Sequence, residues 1–478
     1  MKKINKPIII VLVFALILRV LSWNQSFWLD EGIAAQTAIN FSIKEYFNVF
    51  LLGDFHPPLY FIIQKLFYFL LGSDEYVFRL PALIAGVLTV LVTYLISKEV
   101  IKNKTFQLWP SILVATSPIL ITYSFEARPY SLTGLIVILN LYFLLLAKKK
   151  FSKKYCTLFF ITNILIIYLN YIAYLYVFSS SIYMGYILWK NKNKNLTYIF
   201  SISIISVIIS SLMFPIFMTQ LVSGSNISSS FSGWQNVIGS NNFTKNFFQF
   251  FIKTSTGLVD FNYSVYVSIV ALLNTAVYIL AIVYFLAKRQ FNPVLIIFLS
   301  TFMFVMTIAA FLPIYSYFRL LFLIPFIYLI IISLKTNPQI IKKGFYFILV
   351  SNFIFILLYF ANPIFWREDW KGAKVYSDFL SSKYPNAMTV FSTKVPYDIY
   401  YYYNTSKAVG AGDEFIMNKI PTEKQQILLK YDQIIYYSYL SDLTDPSLIT
   451  ENFLREYYSE ITGYSFNKIG SVKIFIKK

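Results

Sequence analysis

A single cysteine, Cys156, stands in the 478 residues, so no intrachain disulfide and no cysteine-rich metal site can form. A packing role near a helix start suits it. Charge is scarce too: 13% of residues are Asp, Glu, Lys or Arg, against roughly 25% in average globular chains, which excludes an ordinary soluble domain. No glycine-rich phosphate loop occurs, which argues against a nucleotide-sugar or ATP site. No small-residue cleavage site follows the first apolar run, residues 8–21, so it is expected to stay as a first span rather than be removed as a secretory signal. No internal repeat is visible, and the tyrosine-rich stretch 400–403 is the one low-complexity segment.

What is present is apolar mass: 57% hydrophobic residues and 20% aromatics. It arrives in blocks of about 17 to 25 residues, enough to cross a hydrocarbon core as helices. The net charge of +19 is distributed as a topology signal. Lys2, Lys3 and Lys6, then Lys98, Lys102 and Lys104, then Lys148, Lys149, Lys150, Lys153 and Lys154, then Lys190, Lys192 and Lys194, then Lys288 and Arg289, then Lys335, Lys342 and Lys343 fall between alternate spans, with Glu99 as the one acid among them. The intervening loops hold seven cations, Lys44, Lys65, Arg79, Arg128, Lys245, Lys253 and Arg319, against eight acids. The positive-inside rule then puts the N-terminus in the cytoplasm, and nucleic acid is not needed to explain the basicity.

About eleven spans follow from this pattern: 7–23, 78–97, 106–123, 130–147, 155–170, 172–189, 196–218, 264–287, 293–312, 317–334 and 344–362. The odd count places the polar C-terminal part outside. The predicted organisation is a polytopic α-helical membrane domain over 1–363 and a small extracytoplasmic α/β domain over 364–478. Strand-like runs at 387–391, 433–439 and 472–476 alternate there with helical ones at 370–383 and 421–430. In the first outer loop, 24–77, stretches near 35–51 and 57–71 read as interfacial helices. In the second long loop, 220–264, the aromatic run 243–251 reads as another.

Candidate chemistry collects on the outer side. Asp30 and Glu31 open the first loop. Asp54-Phe55-His56-Pro57-Pro58-Leu59 follows, with His56 the chain's only histidine. Glu126-Ala127-Arg128-Pro129-Tyr130 joins the third and fourth spans, and Arg319 lies at the outer end of the tenth. Each has a plainer reading. Asp30 suits a cap for a helix beginning at Glu31. Pro57 and Pro58 suit a first helical turn, with Asp54 as its cap. Glu126 and Arg128 suit a local loop ion pair worth about 0–1 kcal/mol, and Arg319 suits snorkelling to lipid phosphates. A divalent metal is compatible with Asp30, Glu31, His56 and Glu126, but no spacing among them is diagnostic.

Together these residues resemble a known family. Leu29-Asp30-Glu31, Asp54-x-His56-Pro57-Pro58-Leu59, Phe78-Arg79-Leu80-Pro81 and the run from Ser117-Pro118 through Glu126-Ala127-Arg128-Pro129-Tyr130-Ser131-Leu132 are similar to motifs of GT-C membrane glycosyltransferases. The nearest groups are the protein O-mannosyltransferases and the bacterial lipid A aminoarabinose transferases. Arg367-Glu368-Asp369-Trp370-Lys371-Gly372 resembles the segment entering the tail domain of many bacterial members. The resemblance implies transfer of a sugar, with inversion, from a polyprenyl-phosphate donor to a glycan, lipid or protein acceptor outside a bacterial inner membrane. It implies Asp30 as base with Glu31 in support. Arg128, Arg319, Arg79 and His56 would meet the donor phosphate, backed by Glu126, Tyr130 and Asp54. No cofactor is required by this reading. The second large loop has no room for the β-trefoil domains of eukaryotic protein mannosyltransferases. His56 also stands where the aminoarabinose transferases more typically have lysine. A transporter or flippase of a lipid-linked sugar is the rival reading, with a membrane-anchored structural protein third. Transporters usually carry repeated halves and midplane charge, whereas these spans are almost free of charge in their middles.

Overall fold

The computed structural model describes residues 6–21, 23–51, 56–190, 196–230, 242–312 and 315–478. Asp54, Lys2, Lys3, Lys192 and Lys194 lie outside the described residues. The described residues fall into two compact units. The larger takes 6–23, 43–230 and 242–361 and is built from helices; the smaller joins 24–42 to 362–478 and carries the sheet.

Among the described residues of the larger unit, five helical stretches are long and apolar enough to cross a membrane: Glu75–Val100, Tyr130–Lys149, Thr197–Ser223 (interrupted at residues 212–213), Val265–Ala287 and Pro338–Ala361. Leu59–Leu71, Pro293–Ala309 and Tyr317–Ile332 are apolar but shorter. At 1.5 Å per residue, the 13 residues of Leu59–Leu71 reach only about 20 Å, well short of a hydrocarbon core. Three expected spans are divided. Residues 106–123 become Trp109–Ala115 and Pro118–Thr122, and 196–218 become Leu196–Ser211 and the first part of Phe214–Ser230. Residues 317–334 become a 3₁₀ turn, Tyr317–Leu323, followed by Ile324–Ile332. The reason is the same each time: Pro118, Pro215 or Pro325 stands in the first turn of the second piece, where a missing N–H is tolerated and a continuing helix is not.

Arg19 stabilises the first of these breaks. It lies on α1 (Lys6–Val20) and is fully buried, a cation that the apolar pattern of that span conceals. Pro118 has no N–H to give the carbonyl of Val114, and Arg19 Nη2 reaches that oxygen at 3.4 Å. Nη1 donates to Ala115 O at 3.2 Å and Ala15 O at 3.0 Å, and Nε donates to Ser124 Oγ at 3.1 Å. A Cβ on Gly86 would collide with Ser124, so glycine is what lets the helix Glu75–Val100 approach here.

The aromatic helix expected in the second outer loop exists as Phe243–Thr256, with Asn242 Oδ1 accepting from Lys245 N at 2.9 Å. Its rings do two jobs. Phe243 and Phe248 are exposed, but Phe250 and Phe251 are buried against Phe302, with ring centroids at 5.1 and 5.7 Å. A purely interfacial belt is therefore not what the sequence encodes: half the run is core.

The smaller unit holds a five-stranded sheet in the order β2-β1-β3-β5-β4. β1 (Met388–Phe391) pairs in parallel with β2 (Ala408–Gly410) and β3 (Gln433–Tyr437), and β5 (Gly470–Lys477) runs antiparallel to β3 and β4 (Tyr458–Phe466). Parallel neighbours need crossovers, supplied by Tyr397–Tyr403 and Thr422–Leu428. The helix Trp370–Lys383 forms at its expected position. Residues 24–42 enter this unit through α2 (Leu29–Asn40), which packs on Tyr397–Tyr403. A Cβ on Gly32 would collide there with Ile399.

Replacing Arg19 with methionine keeps the length of the side chain and removes its donors. The carbonyls of Val114 and Ala115 then lose charge-assisted bonds, each costing about 1–3 kcal/mol. The expected result is a lower unfolding temperature of the detergent-solubilised protein, read by intrinsic fluorescence; an unchanged temperature would show that the break needs no external donor.

Candidate functional site

Two constellations emerge, one in each unit. In the larger, Pro57 and Pro58 precede the helix Leu59–Leu71, and Pro58 is its cap residue. The pair therefore stands just before the first turn rather than inside it. This leaves His56 immediately outside the helix. Residues 123–129 form a tight loop between Pro118–Thr122 and Tyr130–Lys149. Arg128 N donates to Glu126 O at 2.7 Å, the two-residue spacing of a γ-turn. Gln64, buried on Leu59–Leu71, donates from Nε2 to Ala127 O at 3.0 Å and pins that turn.

Within it Glu126 and Arg128 are both almost fully buried. Arg128 Nη2 lies 3.1 Å from His56 Nε2. A guanidinium only donates, so His56 accepts at Nε2. Tyr130 is set edge-on to His56 (6.5 Å between ring centroids) and to Phe318 (5.2 Å), and the Arg319 guanidinium lies 5.9 Å from the Phe318 ring. His56, Arg128, Tyr130 and Arg319 thus belong to one aromatic and cationic cluster. Arg79 is buried in this unit too and donates to the carbonyl of Trp23 at 3.1 Å.

An apolar cavity of about 620 Å³ opens among the helices from Lys153–Ile167 to Phe214–Ser230, lined by residues including Asn163, Tyr174, Gly185, Ser206 and Phe217. It is linked to the cluster. Phe217 packs on Tyr171 at 5.0 Å, the Tyr171 hydroxyl donates to Gln220, and Gln220 Nε2 donates to His56 O at 3.3 Å.

In the smaller unit α2 begins at Leu29, and the extended cap position belongs to Trp28, whose side chain makes no capping bond. Asp30 is therefore not the cap of a helix starting at Glu31; it is the second residue of the helix. Asp30 and the buried Glu31 stand in the first turn, where the helix dipole favours negative charge. The segment before them is held by 367–371 and Tyr403. Lys371 Nζ donates to Asn24 O at 3.1 Å, Lys371 N to Ser26 Oγ at 3.0 Å, and Phe27 N to Tyr403 Oη at 2.7 Å. The Arg367 guanidinium lies 4.5 Å from the Trp28 ring. Glu368 Oε2 accepts from Leu29 N at 3.0 Å and from Trp370 Nε1 at 2.9 Å. Burial pushes the Glu368 carboxyl up from its ordinary 4.5 to about 7, against the pull of its hydrogen bonds from Trp370, Tyr439 and Leu29 and of the nearby Arg367 charge.

Sequence reasoning gave no role to Gln64, Gln220, Arg19 or Glu368. Gln64 carried a readable signal, an uncharged polar residue inside the apolar run Leu59–Leu71. Among the described residues no three His, Cys, Asp or Glu side chains stand together as a metal site.

Residues 55–218 match the model of the dolichyl-phosphate-mannose-protein mannosyltransferase family. No curated protein matches the chain. Among solved structures, ArnT from Cupriavidus metallidurans bound to undecaprenyl phosphate is similar over 98% of this chain and 97% of its own, at 10% identity and a TM-score of 0.54. The oligosaccharyltransferase AglB from Archaeoglobus fulgidus, in complex with an inhibitory peptide and a dolichol-phosphate, is similar over 98% of this chain and 74% of its own, at 12% identity and a TM-score of 0.52.

The raised Glu368 pKa has a stability consequence of fixed sign. The folded chain holds this proton more tightly than the unfolded chain, so the contribution is greatest below about pH 4.5 and is lost as pH rises through about 7. Thermal unfolding of wild type and Glu368→Gln between pH 4.5 and 8 should diverge accordingly, the variant lacking this part of the decline. Parallel curves would remove Glu368 as the titrating group.

Proposed function

We propose that the chain is an inverting transferase of the GT-C type, a reading supported by the match of residues 55–218 to the mannosyltransferase family model and by the fold it shares with ArnT and AglB. It moves a sugar from a polyprenyl-phosphate donor to an acceptor hydroxyl or phosphate outside a bacterial cytoplasmic membrane. Eleven crossings with a cytoplasmic N-terminus belong to the same reading. So do the membrane catalytic role of 1–363 and the extracytoplasmic role of 364–478. The supporting observation is the buried Arg128, fixed by His56 and linked through Gln220, Tyr171 and Phe217 to an apolar cavity. A cationic point joined to an apolar space suits a lipid phosphate: head on the guanidinium, isoprenoid chain among the helices. ArnT with its bound undecaprenyl phosphate and AglB with its dolichol-phosphate support that donor class.

In this reading Asp30 takes the proton of the acceptor hydroxyl as its oxygen attacks the anomeric carbon. The new C–O bond forms as the bond to the phosphate oxygen breaks, and the departing phosphate keeps the electron pair. Arg128, with Arg319, neutralises the charge gained there. His56 holds Arg128, Tyr130 packs on both His56 and Phe318, and Glu31 and Glu126 support the two loops. Arg79 is in the same reading a further donor-phosphate residue, held by its bond to Trp23 O. No step is routed through a metal.

The test is purified protein given undecaprenyl-phosphate sugars, mannose first, with candidate acceptors, scoring release of free undecaprenyl phosphate. Asp30→Asn is expected to abolish transfer while the protein stays in the membrane; near-normal turnover removes Asp30 as base. Arg128→Gln should lower kcat by roughly 10²–10³-fold, the usual loss for one transition-state donor. Movement of the sugar-lipid across vesicles without bond cleavage would favour a flippase. Gly185 lines the cavity and a Cβ there meets nothing within 4 Å. Gly185→Phe should therefore raise the KM of a long-chain donor by roughly tenfold and spare a short-chain one; equal effects on both would detach the cavity from the donor.

A further inference from the structure

A helix that begins without a cap of its own leaves its first N–H groups to be satisfied from elsewhere. For α2 the cap residue is Trp28, and its side chain makes no capping bond. The acceptor comes instead from a residue more than three hundred positions away: Glu368 Oε2 takes the Leu29 N–H at 3.0 Å. We propose that Glu368 is a positioning residue that caps α2 from the tail segment and so fixes Asp30 and Glu31. The proposal rests on the reading of Asp30 as base.

The carboxylate is itself anchored. The same Oε2 receives Trp370 Nε1 at 2.9 Å. Trp370 is fully buried, stacked on Tyr437 at 6.1 Å and edge-on to Tyr439 at 5.0 Å. Tyr437 ends β3, the central strand of the sheet. A continuous mechanical link therefore runs from the sheet through an indole and a carboxylate to the amide next to Asp30. The remaining contacts have the same direction. Asn24, Ser26, Phe27 and Trp28 are each held by Lys371, Tyr403 or Arg367, so the chain reaches Asp30 with almost every preceding residue tied down. This gives Arg367-Glu368-Asp369-Trp370-Lys371 a function that its place at a domain entrance does not. A base displaced by about 1 Å loses about 10²-fold in rate, so a cap one residue away is a rate-determining support even though it touches no substrate.

Hydrogen exchange and kinetics on the full chain in nanodiscs test this, with undecaprenyl-phosphate mannose or whichever undecaprenyl-phosphate sugar the wild type turns over as donor. In wild type and Glu368→Gln, whose amide oxygen still accepts, the Leu29 amide should stay protected and kcat should stay within about threefold. In Glu368→Ala the Leu29 amide should exchange freely while the β3 amides keep their protection, and kcat should fall about 10- to 100-fold with donor KM little changed. Leu29→Pro approaches the bond from the other side without altering the tail. Proline is favoured in the first helical position, and Trp28 already has the extended backbone that precedes it (φ −100°, ψ 173°). It removes the donor, along with the partly buried leucine side chain, and should lower kcat likewise. Wild-type kcat in both Glu368→Ala and Leu29→Pro overturns the proposal, as does a protected Leu29 amide in Glu368→Ala. An active Asp30→Asn would instead overturn the base assignment, leaving the exchange result to decide the cap alone.

Discussion

A buried guanidinium cannot be left unpaired in a medium of low polarity, because desolvation costs far more than any single contact returns. In this chain that constraint organises the region around the candidate site. Arg19 is tolerable inside the larger unit because Pro118 has left carbonyls without donors, and those carbonyls are tolerable because Arg19 is there. The break they stabilise ends the helix Trp109–Ala115 and starts the short turn Pro118–Thr122 that delivers the loop of Arg128. Arg19 also bonds Ser124, two residues before Glu126. Arg79 obeys the same rule with Trp23 O, and Arg128 with His56. Three arginines are thus converted from liabilities into joints, each fixing a place where the chain leaves regular helix.

The smaller unit solves a related problem with a carboxylate. Two acids in the first turn of α2 repel each other, and the favourable helix dipole is worth only about 0.3–1 kcal/mol each. Placing a third carboxylate at the same helix end would be costly if it were fully charged. The elevated Glu368 pKa answers this: near neutral pH the group is partly protonated, so it accepts hydrogen bonds without adding a full negative charge beside Asp30. Burial next to Trp370 is what sets that value.

Much of this was legible in the chain, for identifiable reasons. β1, β3 and β5 announce themselves because their inward residues, such as Val390, Ile434, Tyr436 and Phe475, are apolar and flanked by turns. β4 does not, since only its end residues Tyr458 and Phe466 are buried and the seven between are exposed; an edge strand with two wet faces has no alternation to read. β2 is three residues long. His56, Arg128, Tyr130 and Arg319 are singled out in the sequence through a family resemblance, but the pairing of Arg128 with His56, 72 positions away, is a property of the fold. Arg19 hid inside an apolar run because hydropathy averages over a window and is blind to which face one cation occupies. The aromatic helix Phe243–Thr256 misled in the opposite direction, its phenylalanines reading as a belt while Phe250 and Phe251 serve the core.

The division of these roles between units follows from what each kind of structure provides. The proposed recognition of phosphate and isoprenoid needs fixed charge beside apolar surface: the break at Pro118 delivers the loop of Arg128, and the helices from Lys153–Ile167 to Phe214–Ser230 wall the cavity. Holding a base needs rigidity at one atom, which a sheet supplies better than a loop. Hence residues 24–42, though they interrupt the helical part of the sequence, pack with the sheet-bearing tail. If Asp30 is the proposed base, its position is tied to β3 by way of Trp370 and Glu368, and a first-loop motif becomes intelligible only together with a segment near residue 370.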